Sequence, residues 1–300
     1  MYTILGATGN IGSVITKKLL DKGEKVRVVG RNAAKLQPYV QKGAEAFVAD
    51  VKDADALTKA LSGVRAAFLM LPPGLTSPDY PAEQDIESTA ISTAAKNAGL
   101  PYAVNLSSIG AQAPAGTGPI LGAHHSEKKL NAVERLNVLH LRPAYFMENH
   151  LSAISMIQMM GVYAAALKPE LKFPMIATRD IGEYAAERLL KLDFNGKQTQ
   201  ELYGERDLTM NEVAAVLSKS ISKPDLRYVQ FAYDQVEAAM VQMGVSGKTA
   251  AYLIELFQGM NTRIVVGVEP RSAANTTPTS IETFSKEVFA PAYLGRAASA

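Results

Sequence analysis

The segment Gly122-Ala123-His124-His125-Ser126-Glu127-Lys128-Lys129-Leu130 sets two histidines four residues ahead of two lysines. On a helix, His124 and Lys128 share one face, and His125 and Lys129 another. An imidazole near its reference pKa of about 6.5 donates or relays a proton at neutral pH, while a neighbouring lysine can hold the hydroxyl groups of a bound molecule. The turn at residues 118–122 leaves His124 and Lys128 nearer to a cleft than the second pair. Ser107 and Ser108, which close a short apolar run, could polarise an acceptor oxygen or nitrogen. The plainer alternative, of equal weight, is a surface helix whose polar face is simply solvated.

A second constellation is suited to binding. Gly6-Ala7-Thr8-Gly9-Asn10-Ile11-Gly12 lies between an apolar run and a helical pattern. Gly6 permits a tight turn, Gly9 lets the backbone approach a pyrophosphate, and Gly12 allows close helix–strand packing. The following helix start offers free N–H groups and a positive dipole end to phosphates. The same spacing in a bare turn would need no ligand, but a strand before it, a helix after it and five further strand signals favour a dinucleotide. The second strand ends Val28-Val29-Gly30-Arg31-Asn32, where an NAD site carries an acid for the ribose hydroxyls and this chain has none. Arg31 can stack on adenine and pair with a 2′-phosphate, with Lys35 in support, so NADP(H) is expected in preference to NAD(H). Asp50, closing the third strand, could accept from the adenine amino group or cap the next helix, a place that Asp53 fits better.

Composition removes whole classes of function. The 300 residues include no cysteine, which excludes disulfides, thiolate nucleophiles and iron–sulfur clusters. The four histidines are at 124, 125, 140 and 150, and the adjacent pair points in two directions, so no metal site is expected. His140 lies in an apolar run and reads as a buried, satisfied side chain. A net charge of +2, with basic residues scattered among acidic ones, lacks the one-sided footprint of a nucleic-acid binder. No run reaches about 18 apolar residues, and the first residues show neither a basic nor a long apolar leader. A cytoplasmic protein acting on a small molecule is expected, without membrane or nucleic acid as partner.

The elements that must position these residues follow from the apolar pattern. Residues 2–5, 25–29, 44–49, 66–71, 102–106 and 138–141 read as strands buried on both faces. Helical patterns at 11–21, 53–61 and 86–97 alternate with them and close at Gly23, Gly63 and Gly99. Pro38 should shorten or kink a further helix at 33–41. The expected fold class is α/β, a doubly wound, mostly parallel Rossmann sheet with a smaller, mainly helical C-terminal lobe. The division runs 1–150 for the nucleotide-binding domain and 151–300 for the lobe, some of which can pack back on the first domain. Helices should start near Thr209 and Thr279, each of which has the capping-box spacing to a glutamate. Met156, Met159 and Met160 would pack a core or line an adaptable wall.

The glycine loop, the strand end 26–31, residues 43–50, Leu69-Met70-Leu71-Pro72-Pro73, Asn105-Leu106-Ser107-Ser108-Ile109-Gly110 and Leu141-Arg142-Pro143-Ala144-Tyr145-Phe146-Met147-Glu148-Asn149 together resemble the NmrA-like family of atypical short-chain dehydrogenases/reductases. Ala177-Thr178-Arg179-Asp180-Ile181-Gly182 is also similar to the family's second lobe. The resemblance implies an extended nicotinamide nucleotide, Leu71, Pro72 and Pro143 beside it, and Tyr145, Phe146 and Asn149 bordering a substrate between the lobes. Typical superfamily members use Tyr-x-x-x-Lys as proton donor and pKa-lowering partner, yet none of the 12 tyrosines here is followed four residues later by lysine. The resemblance therefore implies an NAD(P)H-dependent oxidoreductase acting on a quinone, azo compound, enone or imine. The alternative is a non-catalytic NADP(H)-sensing regulator that works through protein partners.

Overall fold

In the computed structural model, which describes residues 1–295, the six apolar runs form parallel strands of one sheet. They are β1 (Tyr2–Leu5), β2 (Val26–Gly30), β3 (Glu45–Val48), β4 (Ala66–Leu69), β5 (Tyr102–Leu106) and β6 (Asn137–Pro143). β1 and β4 are wholly buried, as uninterrupted apolar strands between two helix layers must be. The connecting helices are α1 (Asn10–Asp21), α2 (Ala33–Val40), α3 (Ala54–Leu61), α4 (Tyr80–Asn97) and α5 (Ile120–Asn131). α4 starts six residues before the expected Ile86, because Asp79 accepts from the Ala82 amide at 3.2 Å and Pro81 suits a first turn. α2 runs through Pro38 but spans only eight residues.

After β6 the chain continues through β7 (Tyr145–Phe146), a 3-10 stretch (Met147–Ala153), α6 (Ile154–Met160), β8 (Tyr163–Ala165), β9 (Phe173–Ile176), α7 (Thr178–Lys191) and β10 (Lys197–Leu202). β10 pairs in parallel with β6 and completes the sheet order β10-β6-β5-β4-β1-β2-β3. Residues 197–202, within the stretch assigned from sequence to the lobe, thus form a seventh main-sheet strand that ends at Leu202. Its signal was hidden because an edge strand needs burial only where it is covered, and Lys197, Gln198 and Thr199 are exposed. α7 crosses between these strands and packs on α1, so closely that a Cβ on Gly182 would stand 2.7 Å from Val14 Cβ.

The remaining elements are β11 (Asp207–Leu208), α8 (Met210–Ser220), β12 (Tyr228–Gln230), α9 (Tyr233–Gln242), α10 (Gly247–Asn261), α11 (Ile281–Phe284) and α12 (Ala290–Tyr293). Two small sheets, β11-β9-β7 and β12-β8, accompany these helices. Thr209 makes the expected capping box with Glu212. The second cap is shifted by one residue: Ser280 caps α11, because the Thr279 hydroxyl is taken by Asp180 at 2.7 Å. Met159 and Met160 are exposed on the last turn of α6 and pack no core. No described helix is long and apolar enough to cross a membrane.

Candidate cofactor groove and active site

The strand order reverses between β1 and β4 while all strands stay parallel, and a crevice at such a switch point is where open α/β sheets take ligands. The loops leaving both strands meet there. Gly6 has φ +64°, and a Cβ on it would lie 2.9 Å from Met70 Sδ. The Gly9 amide donates to Gly6 O at 2.9 Å, closing the turn. A Cβ on Gly12 would fall 2.2 Å from Gly6 O, so the helix can approach the loop only with glycine there.

α1 then begins with no side-chain cap and no acidic residue in its first turn. The amides of Asn10, Ile11 and Gly12 have no intrahelical acceptor, which makes this end a receptor for an anion. Thr8, Gly9 and Asn10 are exposed at the opening, while the Ile11 side chain is buried and leaves only its amide to offer. Arg31 and Lys35 are exposed, with no polar side-chain partner among the described residues. Asp50 Oδ1 accepts from the Lys52 amide at 2.9 Å, and Asp53 caps α3. Leu71 and Pro72 are half-buried beyond β4. These groups fit a dinucleotide: unpaired amides for the pyrophosphate, free cations for a further phosphate, and glycines where a side chain would fill the cradle.

The residues proposed for proton chemistry are less assembled. α5 forms as expected and carries the two pairs. Half-buried His124 donates from Nδ1 to Ala111 O at 2.8 Å, which leaves Nε2 without a partner among the described residues. Lys128 is exposed, with no polar partner among the described residues. Lys129 turns toward α4 and bonds Asp85, Ser88 and Thr89, which leaves exposed His125 without it. Ser108 donates to Ile109 O at 2.9 Å. Ser107 donates to Glu127 Oε1 at 2.5 Å instead of facing His124.

That last bond belongs to a buried network not anticipated from the sequence. Glu127 also accepts from Arg142 Nε at 2.8 Å and Nη2 at 2.6 Å. Burial pushes the Glu127 carboxyl up, but bonds from Arg142 and Ser107 outweigh it and leave the group below the usual carboxylate range. Glu148, in the same family-like stretch as Arg142, accepts from the Thr178 amide and hydroxyl and so caps α7 from outside. No spacing rule links 107, 127 and 142. The only sequence sign was a charged residue next to a proline inside an apolar run.

His140 is 1% exposed, bonded by Asn105 and Asn131, and held near pKa 4 first by burial, so it is neutral. Pro143 is buried within β6. Tyr145 and Phe146 are half-buried, and Asn149 is exposed. The Tyr145 ring packs edge-on against Phe173 at 5.5 Å. Phe173 borders a cavity of about 180 Å³ with an apolar floor of Ile109, Met260 and Val265 and with Lys172 and Arg263 at its rim. None of the residues selected from sequence lines it. The cavity reaches the strand ends through Ile109, two residues past Ser107.

A seven-stranded parallel sheet with helices on both faces and a glycine turn at its switch point defines a Rossmann-type α/β protein. The chain belongs to the NmrA-like family, whose model matches residues 2–285. It is 30% identical over 259 residues to an NAD(P)H azoreductase of Xenophilus azovorans, covering 86% of each chain. It is 27% identical over 293 residues to prestalk A differentiation protein A of Dictyostelium discoideum, covering 95% of this chain and 91% of that one. The fold matches the crystal structure of an NADPH-dependent quinone oxidoreductase from Escherichia coli complexed with NADPH, with a TM-score of 0.81, 23% identity and coverage of 96% and 100%.

Proposed function

We propose that the chain is an NADPH-dependent reductase that passes hydride to a small aromatic or conjugated acceptor such as a quinone, azo compound, enone or imine. The observation that carries this reading is the uncapped, acid-free start of α1 at the switch point, joined to a β2 end that presents Arg31 and no acid. Similarity over most of the chain to an azoreductase and a fold shared with a quinone oxidoreductase support it. When bound, reduced nicotinamide supplies the hydride. The chain's own part is placement: the amides at 10–12 neutralise phosphate, Arg31 and Lys35 read the 2′-phosphate, and Leu71, Pro72 and Pro143 flank the cofactor. The acceptor occupies the cavity that opens at Ile109, where Phe173 lines the wall and Tyr145 packs behind it. The reduced acceptor also needs a proton, which His124 can take up from water at Nε2 and pass on from there, with Ser108 orienting the acceptor.

The test is a continuous assay of NADPH oxidation against a panel of quinones, azo dyes, enones and imines, with NADH in parallel. Turnover favouring NADPH is expected. Arg31→Ala should weaken NADPH on the order of 10- to 100-fold, the worth of a charged hydrogen bond, and leave NADH unchanged. Loss of both cofactors together would assign Arg31 to adenine stacking or to structure, and not to reading the 2′-phosphate. His124→Ala should cut turnover about 100-fold at unchanged cofactor affinity. If both His124→Ala and Lys128→Ala keep full turnover, the proton comes from water and these two roles are withdrawn.

One observation favours a second reading, a regulator that binds NADP(H) without turnover: Ser107 is committed to Glu127 and Lys128 faces solvent, so no catalytic trio is assembled. Similarity to a protein named for differentiation accords with it. Tight NADPH binding with no oxidation across the panel, together with discrimination between NADP+ and NADPH, is the result that selects it.

A further inference from the structure

Glu87 is the one charged side chain on the buried face of α4. It is 4% exposed, and its Oε2 is sealed from solvent with no hydrogen-bond partner among the described residues. Its buried neighbours on α4 are satisfied: Gln84 donates to Pro119 O at 2.9 Å and Ser88 to Asp85 O at 3.0 Å. The charges that face Glu87 are Arg31 from the end of β2, Asp50 and Lys52 from the connection after β3, and Glu83 one turn earlier, itself paired with Lys52 at 2.8 Å. Glu87 therefore sits where the ends of β2 and β3 meet the helix that leaves β4. On the dinucleotide reading above, on which this inference rests, that corner is the adenosine end of the groove.

A buried carboxyl with a sealed, unpaired oxygen is unfavourable in the free protein. A glutamine or leucine would serve packing better. We propose that Glu87 is a cofactor-recognition residue whose carboxyl turns toward the adenine when the cofactor binds, donates to a ring nitrogen and so completes its own hydrogen bonding only in the complex. The protonation state agrees with this: burial, with Glu83 and Asp50 adding to it against Lys52 and Arg31, pushes the carboxyl up to about 7.

The proposal is tested by isothermal titration calorimetry of NADPH into the wild type, Glu87→Gln and Glu87→Leu between pH 6.5 and 8.5, with melting curves of the free proteins. Wild-type affinity should fall roughly tenfold across that range as Glu87 loses its proton, whereas Glu87→Gln, which keeps a donor at all pH values, should not share this fall. Glu87→Leu should bind about tenfold more weakly at pH 6.5, having no donor. The folded-state value lies above that of the unfolded chain, so stability is lost as pH rises from about 4.5 to about 7. Glu87→Gln should accordingly melt several degrees higher than wild type at pH 8. Parallel pH profiles for wild type and Glu87→Gln, with full binding by Glu87→Leu, would overturn the proposal while leaving the dinucleotide reading intact. A lower melting temperature for Glu87→Gln at pH 8 would also overturn it, by making the role structural. Absence of NADPH binding by the wild type would remove the dinucleotide reading and this proposal together.

Discussion

Gly12→Ala should abolish useful NADPH binding while leaving most of the fold in place. The added Cβ would stand 2.2 Å from Gly6 O, 2.7 Å from Gly6 C and 2.9 Å from Ala7 Cα. All three are backbone atoms of the turn proposed to receive the pyrophosphate, so no rotamer change can make room. Alanine would gain up to about 1 kcal/mol of helix propensity, but overpacking a close contact costs about 1–3 kcal/mol and must push the loop outward. A displacement of about 1 Å at a positioning element lowers kcat/KM on the order of 100-fold. Gly23→Ala is the control, because nothing lies within 4 Å of its Cβ and only its φ of +76° is unfavourable. It should cost about 1 kcal/mol of stability and no cofactor affinity. Equal NADPH affinity in Gly12→Ala and wild type, measured by calorimetry, would detach the glycine loop from cofactor binding.

Arg142→Ala should be the most destabilising change in the sheet's C-terminal region. The Arg142 and Glu127 side chains are 12% and 8% exposed and joined by two hydrogen bonds, so truncating the guanidinium strands a buried carboxylate. Breaking such a pair costs about 3–5 kcal/mol, on the order of 10 °C in Tm for a chain of this size. The sign with pH follows from Glu127. In the wild type its carboxyl is held below the unfolded value, so its contribution is present above about pH 4.5 and is lost as pH falls through the depressed folded value. Without Arg142 burial dominates and raises it, so the deficit should be largest near pH 7 and should shrink toward pH 4 as Glu127 takes up a proton. Melting curves at the two pH values check this. A deficit that does not depend on pH would mean that lost packing of the arginine stem, and not the stranded charge, sets the cost.

The geometry of the glycine loop was legible in the sequence because its physics is local. Gly6, Gly9 and Gly12 act on a turn within seven residues of chain, and all six apolar runs form parallel strands, although β3, read as buried on both faces, is an edge strand with Glu45, Ala46 and Val48 exposed. Helix starts were legible where the cap is local, as at Asp53 and Thr209, and shifted where a distant residue intervened, as Asp180 does at Thr279. The edge strand at Lys197–Leu202 carried no pattern, since its exposed half is free to be polar.

Proton chemistry was not legible in the same way. Four-residue spacing put His124 with Lys128 and His125 with Lys129, and helix geometry honoured that, but each side chain then took its own partner from another element or from none. Ser107, Glu127 and Arg142 meet only because β5, α5 and β6 pack together, and Glu87 comes under the charges of Arg31 and Asp50 only because α4 lies near the ends of β2 and β3. The sequence by itself determined the fold class, the turn at the switch point and the absence of an acid at the end of β2, all of which depend on neighbours within a few residues. Tertiary structure alone decided which charged groups are buried and who pairs with them, because desolvation and hydrogen-bond geometry depend on contacts made across the whole chain.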